Sequence, residues 1–376
     1  MQISVWEKES FYAPKDIIIV GSGLVGLWSA YSLKKQNPKL SIAIIDRGII
    51  PTGASTRNAG FACFGSVTEL QDDFKNMGEE KTLELVSMRY KGLQKIRKVL
   101  DEKVIDFELC GGYELISEKS NPGQEALEET VNTINKQLKG VIKTSQTFKF
   151  SDKKISEFGF KNIAHLLENK LEGYLHSGKL CQVLLQMVQS MGVLVFNGVE
   201  VTHFEKIVDK MVVYTKQQVR FTAGRILVCT NAFKELLPKL DIVPARGQVL
   251  LTTPINGLKF NGTFHFDEGY YYFRNLGNRV LLGGARNKAF KEEATTEMTI
   301  TDTIQKELER FLSTHILPGK EYAITDRWSG IMGMGTEKMP IVKEVAPHVY
   351  CAVRLSGMGV ALAPIIGEQV ADMMKD

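Results

Sequence analysis

The run DIIIVGSGLVGL at Asp16–Leu27 constrains this chain more than any other stretch of its 376 residues. Four β-branched residues, Ile17–Val20, predict a short buried strand. Gly21-Ser22-Gly23 predicts a tight turn, and a helix is expected from about Leu24 to Lys35. Ile42–Ile45 reads as a second apolar strand ending in Asp46. This strand–turn–helix–strand unit carries G-x-G-x-x-G at Gly21, Gly23 and Gly26, with an acid twenty positions past the last glycine, as a dinucleotide site requires. Each glycine has a separate role: Gly21 permits the turn, Gly23 lets a pyrophosphate approach the backbone, and Gly26 lets helix pack on strand. The turn and helix start, from Ser22 through Leu24 and Val25, offer N–H groups to the phosphates. Asp46, with Arg47 beside it, can accept hydrogen bonds from a ribose.

Length allows two sizeable cores, or one large core with a satellite. With 44% hydrophobic and 24% charged residues the composition is that of an ordinary soluble enzyme. The 47 basic residues barely exceed the 43 acidic ones, so charge alone indicates neither a nucleic-acid nor a membrane partner. Cysteines 63, 110, 181, 229 and 351 are scattered and form no C-x-x-C pair, which fits a reducing compartment and argues against a disulfide framework. His165, His176, His203, His265, His315 and His348 lack metal-ligand spacing, so no metal is expected. MQISVWEKES has no apolar core of a signal peptide, and glycine and serine interrupt the longest apolar run. A cytoplasmic, non-membrane protein is the expectation.

Two observations favour FAD over NAD. The second strand runs almost directly into Gly53-Ala54-Ser55-Thr56-Arg57-Asn58-Ala59-Gly60, continuing as Phe61-Ala62, a small and polar stretch able to wrap an extended ligand. Arg57 is available there to a phosphate or a flavin edge. No second G-x-G-x-x-G in a strand–helix context follows, so the substrate itself is the expected reductant.

Further along, Glu79–Glu102 reads as an amphipathic helix with Val86, Tyr90, Leu93, Ile96 and Leu100 on one face. Phe107–Ile116 is strand-like and Gln124–Lys139 is a second helix. Gly178–Ser190 predicts a helix and Val193–Phe196 a strand. Ile207–Phe221 alternates like a hairpin, followed by a separate buried strand, Ile226–Cys229. Tyr270–Arg274 and Arg279–Gly284 predict paired strands around Asn275–Asn278. Thr301–Thr314 predicts a helix ended by Pro318-Gly319. The expected fold is α/β, with a Rossmann-like dinucleotide domain at 1–78, 151–244 and 326–376. A second, α+β substrate domain on an antiparallel-rich sheet takes 79–150 and 245–325.

Several blocks carry a resemblance along the whole chain: Ser4-Val5-Trp6-Glu7, both glycine-rich segments, RILVCTNAF at Arg225–Phe233 and PARGQVL at Pro244–Leu250. GYYYFRNLGNRVLLGGAR at Gly269–Arg286, RWSGIMGMGTEKMPIV at Arg327–Val342 and RLSGMGVALAPIIGEQVADMM at Arg354–Met374 complete the set. In this order they resemble the D-amino-acid oxidase-like superfamily of FAD-dependent amine and amino-acid oxidoreductases. That group includes glycine and sarcosine oxidases, D-amino-acid dehydrogenases and γ-glutamylputrescine oxidoreductase.

The resemblance implies that a substrate amine transfers hydride to flavin N5, giving an imine that water hydrolyses, with oxygen or a quinone as final acceptor. It implies cofactor contacts from Glu200 and Val201 near the adenine, and from Cys229, Thr230, Asn231 and Ala232 near the flavin. Arg246, Gly330, Arg354, Gly357, Met358, Gly359 and Val360 complete the implied cofactor set. The helix opening at Gly359 would set its positive end toward the reduced ring. FAD is expected to be non-covalent, since no histidine stands beside Arg57. In glycine-oxidase-like members a carboxylate-clamping arginine falls just after Trp-x-Gly; here Trp328-Ser329-Gly330 leads to Met332 instead. Arg286, Arg274 or Arg246 could supply the clamp from elsewhere. Period two puts Tyr270 and Tyr272 on one face and Tyr271 on the other, so Tyr270, Tyr272, Arg286 and Met332 are the candidate substrate residues. Two other readings stay open: a flavoenzyme acting on a modified tRNA base, and a non-catalytic FAD-binding assembly protein.

Overall fold

The computed structural model describes residues 2–375. The chain forms two compact units. The first takes the chain up to Thr56, Ser177–Pro244 and the segment from Met332 onward; the second takes Arg57–His176 and Ala245–Ile331.

At the centre of the first unit, strand Lys15–Val20 is flanked by Ile42–Asp46 and Arg220–Val228, both parallel to it. Leu194–Asn197 and Val349–Val353 extend the parallel sheet on either side, and Ile341–Ala346 closes one edge antiparallel. Ile17, Ile18 and Ile19 are wholly buried, as a parallel strand covered on both faces requires. Helix Leu24–Gln36 packs between helices Ser177–Ser190 and Gly359–Met373. Gly367 permits close approach to the last of these: a Cβ there would lie 2.6 Å from the backbone of Trp28. The expected hairpin and separate strand after Ile207 merge differently. Arg220–Val228 is one strand, antiparallel to Lys210–Thr215 in its first half and parallel to Lys15–Val20 in its second. Its alternating start and apolar end belong to two different pairings of one chain.

The second unit is built on a sheet ordered Ile324–Met334, Val243–Thr252, Arg279–Gly284, Tyr271–Leu276, Thr263–Phe266, Gly112–Ser117, Ile163–Asn169 and Lys149–Phe150. One face is an aromatic core of Tyr113, Phe264, Tyr271 and Phe273 under Phe311 of helix Asp302–Phe311. Phe264 and Phe273 stack at 4.6 Å. Alternation sends Glu114, His265 and Tyr272, which pair across neighbouring strands, to the other face. The α-helix Asp302–Phe311 continues as a π-turn, Leu312–Ile316, before Pro318. Residues 57–78 and 151–176, expected with the dinucleotide segments, lie in this unit. The cause is strand pairing: Phe61–Ala62 pairs with Gly173–Tyr174, and Ile163–Asn169 pairs with Gly112–Ser117. Of the strand-like run Phe107–Ile116, the strand begins at Gly112, while Glu108 forms an isolated bridge to Tyr174. No helix of the described residues is long and apolar enough to cross a membrane.

Candidate functional site

The glycine turn of the first unit is so close that side chains are excluded from it. Gly21 has φ +109°, and a Cβ there would sit 2.8 Å from the Cys229 carbonyl oxygen. A Cβ on Gly23 would lie 2.9 Å from Ser55 Oγ, and one on Gly26 only 2.0 Å from the Gly21 carbonyl oxygen. Gly23 starts helix Leu24–Gln36 without a side-chain cap. Ser55 Oγ accepts the Leu24 N–H at 2.9 Å, and the first-turn donors that follow, beginning with Val25, are groups of the kind that bind phosphate. One carboxylate oxygen of Asp46 accepts from the Ser22 N–H and hydroxyl, both at 2.7 Å, and the other from the Gly48 N–H at 2.8 Å. The acid is thus held at the strand end with lone-pair capacity left for a ribose hydroxyl. Arg47 lies with its guanidinium carbon 3.9 Å from the Phe233 ring.

The segment Cys229–Ala232 closes against this turn. Asn231 has φ +49°, and Thr230 Oγ1 donates to the Phe233 carbonyl at 2.6 Å. The backbone of Glu200 is less available than expected. Its N–H donates to Gln217 and its carbonyl accepts from Lys216, while Val201 already pairs with Thr215 in the next strand.

At the C-terminal end Arg354, Ser356 and Gly357 have φ +60°, +48° and +81°. Left-handed non-glycine residues each cost on the order of 1–3 kcal/mol and persist where surroundings over-determine them. Here Arg354 donates to the Met339 carbonyl (3.2 and 2.9 Å) and to Asp241 Oδ2 (2.8 Å), and the Ser356 N–H donates to the Gly333 carbonyl. The Arg354 guanidinium is thus committed to shaping the loop, which leaves its backbone for the expected cofactor contact. Met332 packs on the same loop, with its sulfur 3.2 Å from where a Gly357 Cβ would be. Ser356 Oγ is buried without a partner, and helix Gly359–Met373 begins beside it, at Met358, with no side-chain cap before Val360. A buried hydroxyl and an uncapped helix start are completed by an acceptor-rich ligand. The glycine cradle and this loop both fit FAD.

In the second unit Arg57 Nη1 donates to the Ser329 carbonyl at 3.0 Å, and Trp328 Nε1 donates to the Arg57 carbonyl at 2.9 Å. This reciprocal pair ties Arg57 to the strand that carries Gly330. Asn58 Oδ1 accepts the Gly60 N–H at 2.8 Å, turning the chain past Ala59 into Phe61–Ala62. Tyr271 enters the aromatic core, and its hydroxyl donates to Glu307 at 2.6 Å. The Tyr272 ring lies on the opposite face, across Gly283, edge-on to Phe61. Tyr270 departs from the predicted alternation. Strand pairing begins at Tyr271, so Tyr270 leans on the aromatic core and on Phe290 at 5.8 Å.

The three candidate arginines separate clearly. Arg246 is buried in an ion pair, with Nε and Nη2 each 2.8 Å from Glu293 and Nη1 2.6 Å from Thr299. It is therefore neither a clamp nor a cofactor ligand. Arg286 is half-buried over Phe290 (4.8 Å), and among the described residues no hydrogen bond or ion pair engages its guanidinium. Burial pulls its pKa down, while the Tyr270 phenol, the Glu293 carboxylate and the Tyr272 phenol lie near enough to act on its charge. Arg274 is buried, with Nε and Nη1 lacking partners.

Sequence reasoning missed a buried polar layer on the Tyr272 face. Glu114 accepts from Ser66 and Thr68, Arg89 pairs with Glu69 at 3.1 Å, and Glu172 accepts the Phe64 N–H at 2.7 Å. Burial lowers the His265 pKa to about 4 and raises that of Glu172 to about 8. Cys63 lies 3.7 Å from Arg89, and burial pushes its thiol up to about 12. Polar residues at alternate positions in GYELIS and TFHF are the signal that could have revealed Glu114 and His265.

Residues 16–373 match the profile of the family described as FAD dependent oxidoreductase. Two curated relatives are "Probable oxidoreductase OrdL" from Haemophilus influenzae (22% identical, covering 95% of this chain and 82% of that one) and from Rhizobium meliloti (24%, with the same coverage). Among solved structures, an L-proline dehydrogenase from P. horikoshii superposes with TM-score 0.78 at 18% identity, covering 96% of this chain and 93% of that one. A glycine oxidase from Geobacillus kaustophilus gives 0.76 at 18%, covering 96% and 95%. An iminodiacetate oxidase from Chelativorans sp. BNC1 gives 0.74 at 17%, with the same coverage. At these identities the structural likenesses establish the fold.

Proposed function

We propose, since the chain belongs to the FAD dependent oxidoreductase (DAO) family, that it oxidises the C–N bond of a small amine or amino acid to an imine, which water hydrolyses. Bound FAD supplies the acceptor for the two electrons that leave the substrate. In this reading the first unit holds the dinucleotide, through Gly21–Gly26, Ser55, Asp46 and the Ser356–Val360 loop. The second unit supplies the substrate residues.

The observation that carries the reading is Arg286, a half-buried cation to which, among the described residues, no carboxylate is hydrogen-bonded; it lies by the Tyr270 and Tyr272 phenols and the Phe290 ring, while the nearby Glu293 is bonded to Arg246. A guanidinium so placed binds a carboxylate by a charge-assisted fork and holds the attached amine in one orientation. Met332 then need not be replaced by a clamp from its own strand, because the cation comes from the end of strand Arg279–Gly284.

The test is anaerobic. Purified protein is mixed with amines and amino acids while the visible flavin absorbance is followed. Bleaching by an amine or amino acid supports the reading. Bleaching by a tRNA and by no small amine replaces it with base modification, and a flavin that nothing bleaches replaces it with an assembly role. Arg286→Gln should raise KM for carboxylate-bearing substrates at least tenfold while leaving flavin content unchanged; an unchanged KM removes Arg286 from the site. Subsequent mixing with oxygen or a quinone identifies the acceptor.

A further inference from the structure

We propose that the substrate carries two anionic groups, one held by Arg286 and the other by Arg274. The inference rests on the reading that the Tyr272 face of the second unit binds substrate. Arg274 is 4% exposed, and both Nε and Nη1 are buried with no hydrogen-bond partner. A buried N–H donor left without an acceptor is costly, so a fold keeps one where a ligand supplies the missing partner. Glu108 and Asp106 lie near enough to act on its charge, but among the described residues neither is hydrogen-bonded to it: Glu108 Oε2 accepts instead from the Tyr174 hydroxyl at 2.7 Å. That hydroxyl also reaches Asn261 at 3.2 Å, which fixes the Tyr174 ring 4.3 Å from the Arg274 guanidinium carbon. Arg274 is thereby oriented by a stacked ring while its donors stay open.

The two cations stand toward opposite ends of the strand that carries Tyr272, since Gly284, just before Arg286 in the chain, pairs with Tyr271. Arg274 and Tyr272 are two residues apart on one strand and so share its face, roughly 7 Å apart along the chain. Tyr174 pairs with Phe61 in the small ribbon, and Phe61 meets the Tyr272 ring at 5.9 Å. Tyr272 in turn lies near Arg286. Arg274 and Arg286 thus flank Tyr272, with Phe61 against its ring, as a row of cation, aromatic surface and cation. Such a row suits an amino acid with a second carboxylate across a short methylene linker: the ends meet guanidinium groups and the linker meets aromatic surface. A simple alkylamine would leave both cations unpaired.

The test uses non-oxidisable probes of equal length, glutarate and pentanoate, bound to the FAD-loaded protein and followed by calorimetry. Glutarate should bind at least tenfold tighter than pentanoate. Arg274→Gln should abolish that preference without weakening pentanoate, and Arg274→Lys should keep part of it. Equal affinities in the wild-type protein overturn the proposal, and so does a preference that survives Arg274→Gln. Should Arg274→Gln fail to fold, the wild-type comparison and Arg274→Lys still decide. If no amine bleaches the flavin yet glutarate is preferred, amine oxidation fails and the two-anion site stands. If monocarboxylate and dicarboxylate amino acids bleach it equally well and glutarate is not preferred, only the two-anion site fails.

Discussion

Replacing Glu172 by Gln should remove a pH dependence that the wild-type fold carries. The Glu172 side chain is almost wholly buried, accepts the Phe64 N–H at 2.7 Å, and occupies the space a Cβ on Gly112 would need. Burial raises its pKa from 4.5 to about 8; backbone N–H groups and Arg89 pull it down only in part, and Glu69 pushes it further up. The native chain therefore holds a proton through this range that the unfolded chain has released. Because the native state binds more protons, stability is complete below the unfolded value and falls as pH rises through the folded one. A shift of three to four units at about 1.4 kcal/mol per unit gives a loss of roughly 3 kcal/mol by pH 7 and roughly 5 kcal/mol by pH 9. Gln mimics the protonated acid and cannot ionise. Glu172→Gln should match the wild type within about 1 kcal/mol near pH 5 and exceed it by roughly those amounts at neutral and alkaline pH. Urea unfolding of both proteins, followed by intrinsic fluorescence at each pH from 5 to 9, reads the difference directly. Parallel stability profiles would refute the argument, because they would mean that Glu172 ionises in the fold as it does in the unfolded chain.

Two further outcomes follow from the same geometry. Gly26→Ala puts a methyl group 2.0 Å from the Gly21 carbonyl oxygen, so helix and turn must move apart; the purified variant should lose most of its flavin absorbance per chain, and full FAD content would show that the turn tolerates the shift. Arg246→Gln leaves Glu293 buried without its cation, which should destabilise the fold by about 3–5 kcal/mol, with Glu293→Gln added in the same chain restoring part of the loss; a single variant as stable as the wild type would mean the pair is solvated.

Local chemistry explains which features were legible. Gly21, Gly23, Gly26 and Asp46 are bound to one another by neighbouring backbone geometry, so their spacing alone announces the turn, and the structure packs Gly26 onto Gly21 for that reason. The strand pair Tyr271–Leu276 and Arg279–Gly284 is legible for the same reason, since its turn lies between its arms. Residues 57–78 and 151–176 cluster with the second unit, apart from the sequence expectation, because their partners are remote: Phe61 pairs with Tyr174, and Leu166 with Leu115. The arginines make the point most sharply. Arg246, Arg274 and Arg286 sit in strands or at strand ends of similar composition, and nothing local ranks them as clamps. What separates them is whether a carboxylate arrives from elsewhere. Glu293 reaches Arg246 from 47 residues away, Glu108 and Asp106 act on Arg274 only from a distance while Glu108 bonds Tyr174, and among the described residues no carboxylate is hydrogen-bonded to Arg286. A candidate binding cation is therefore defined by the absence of a long-range partner. Period and motif cannot reveal that, whereas a complete inventory of buried donors does so at once.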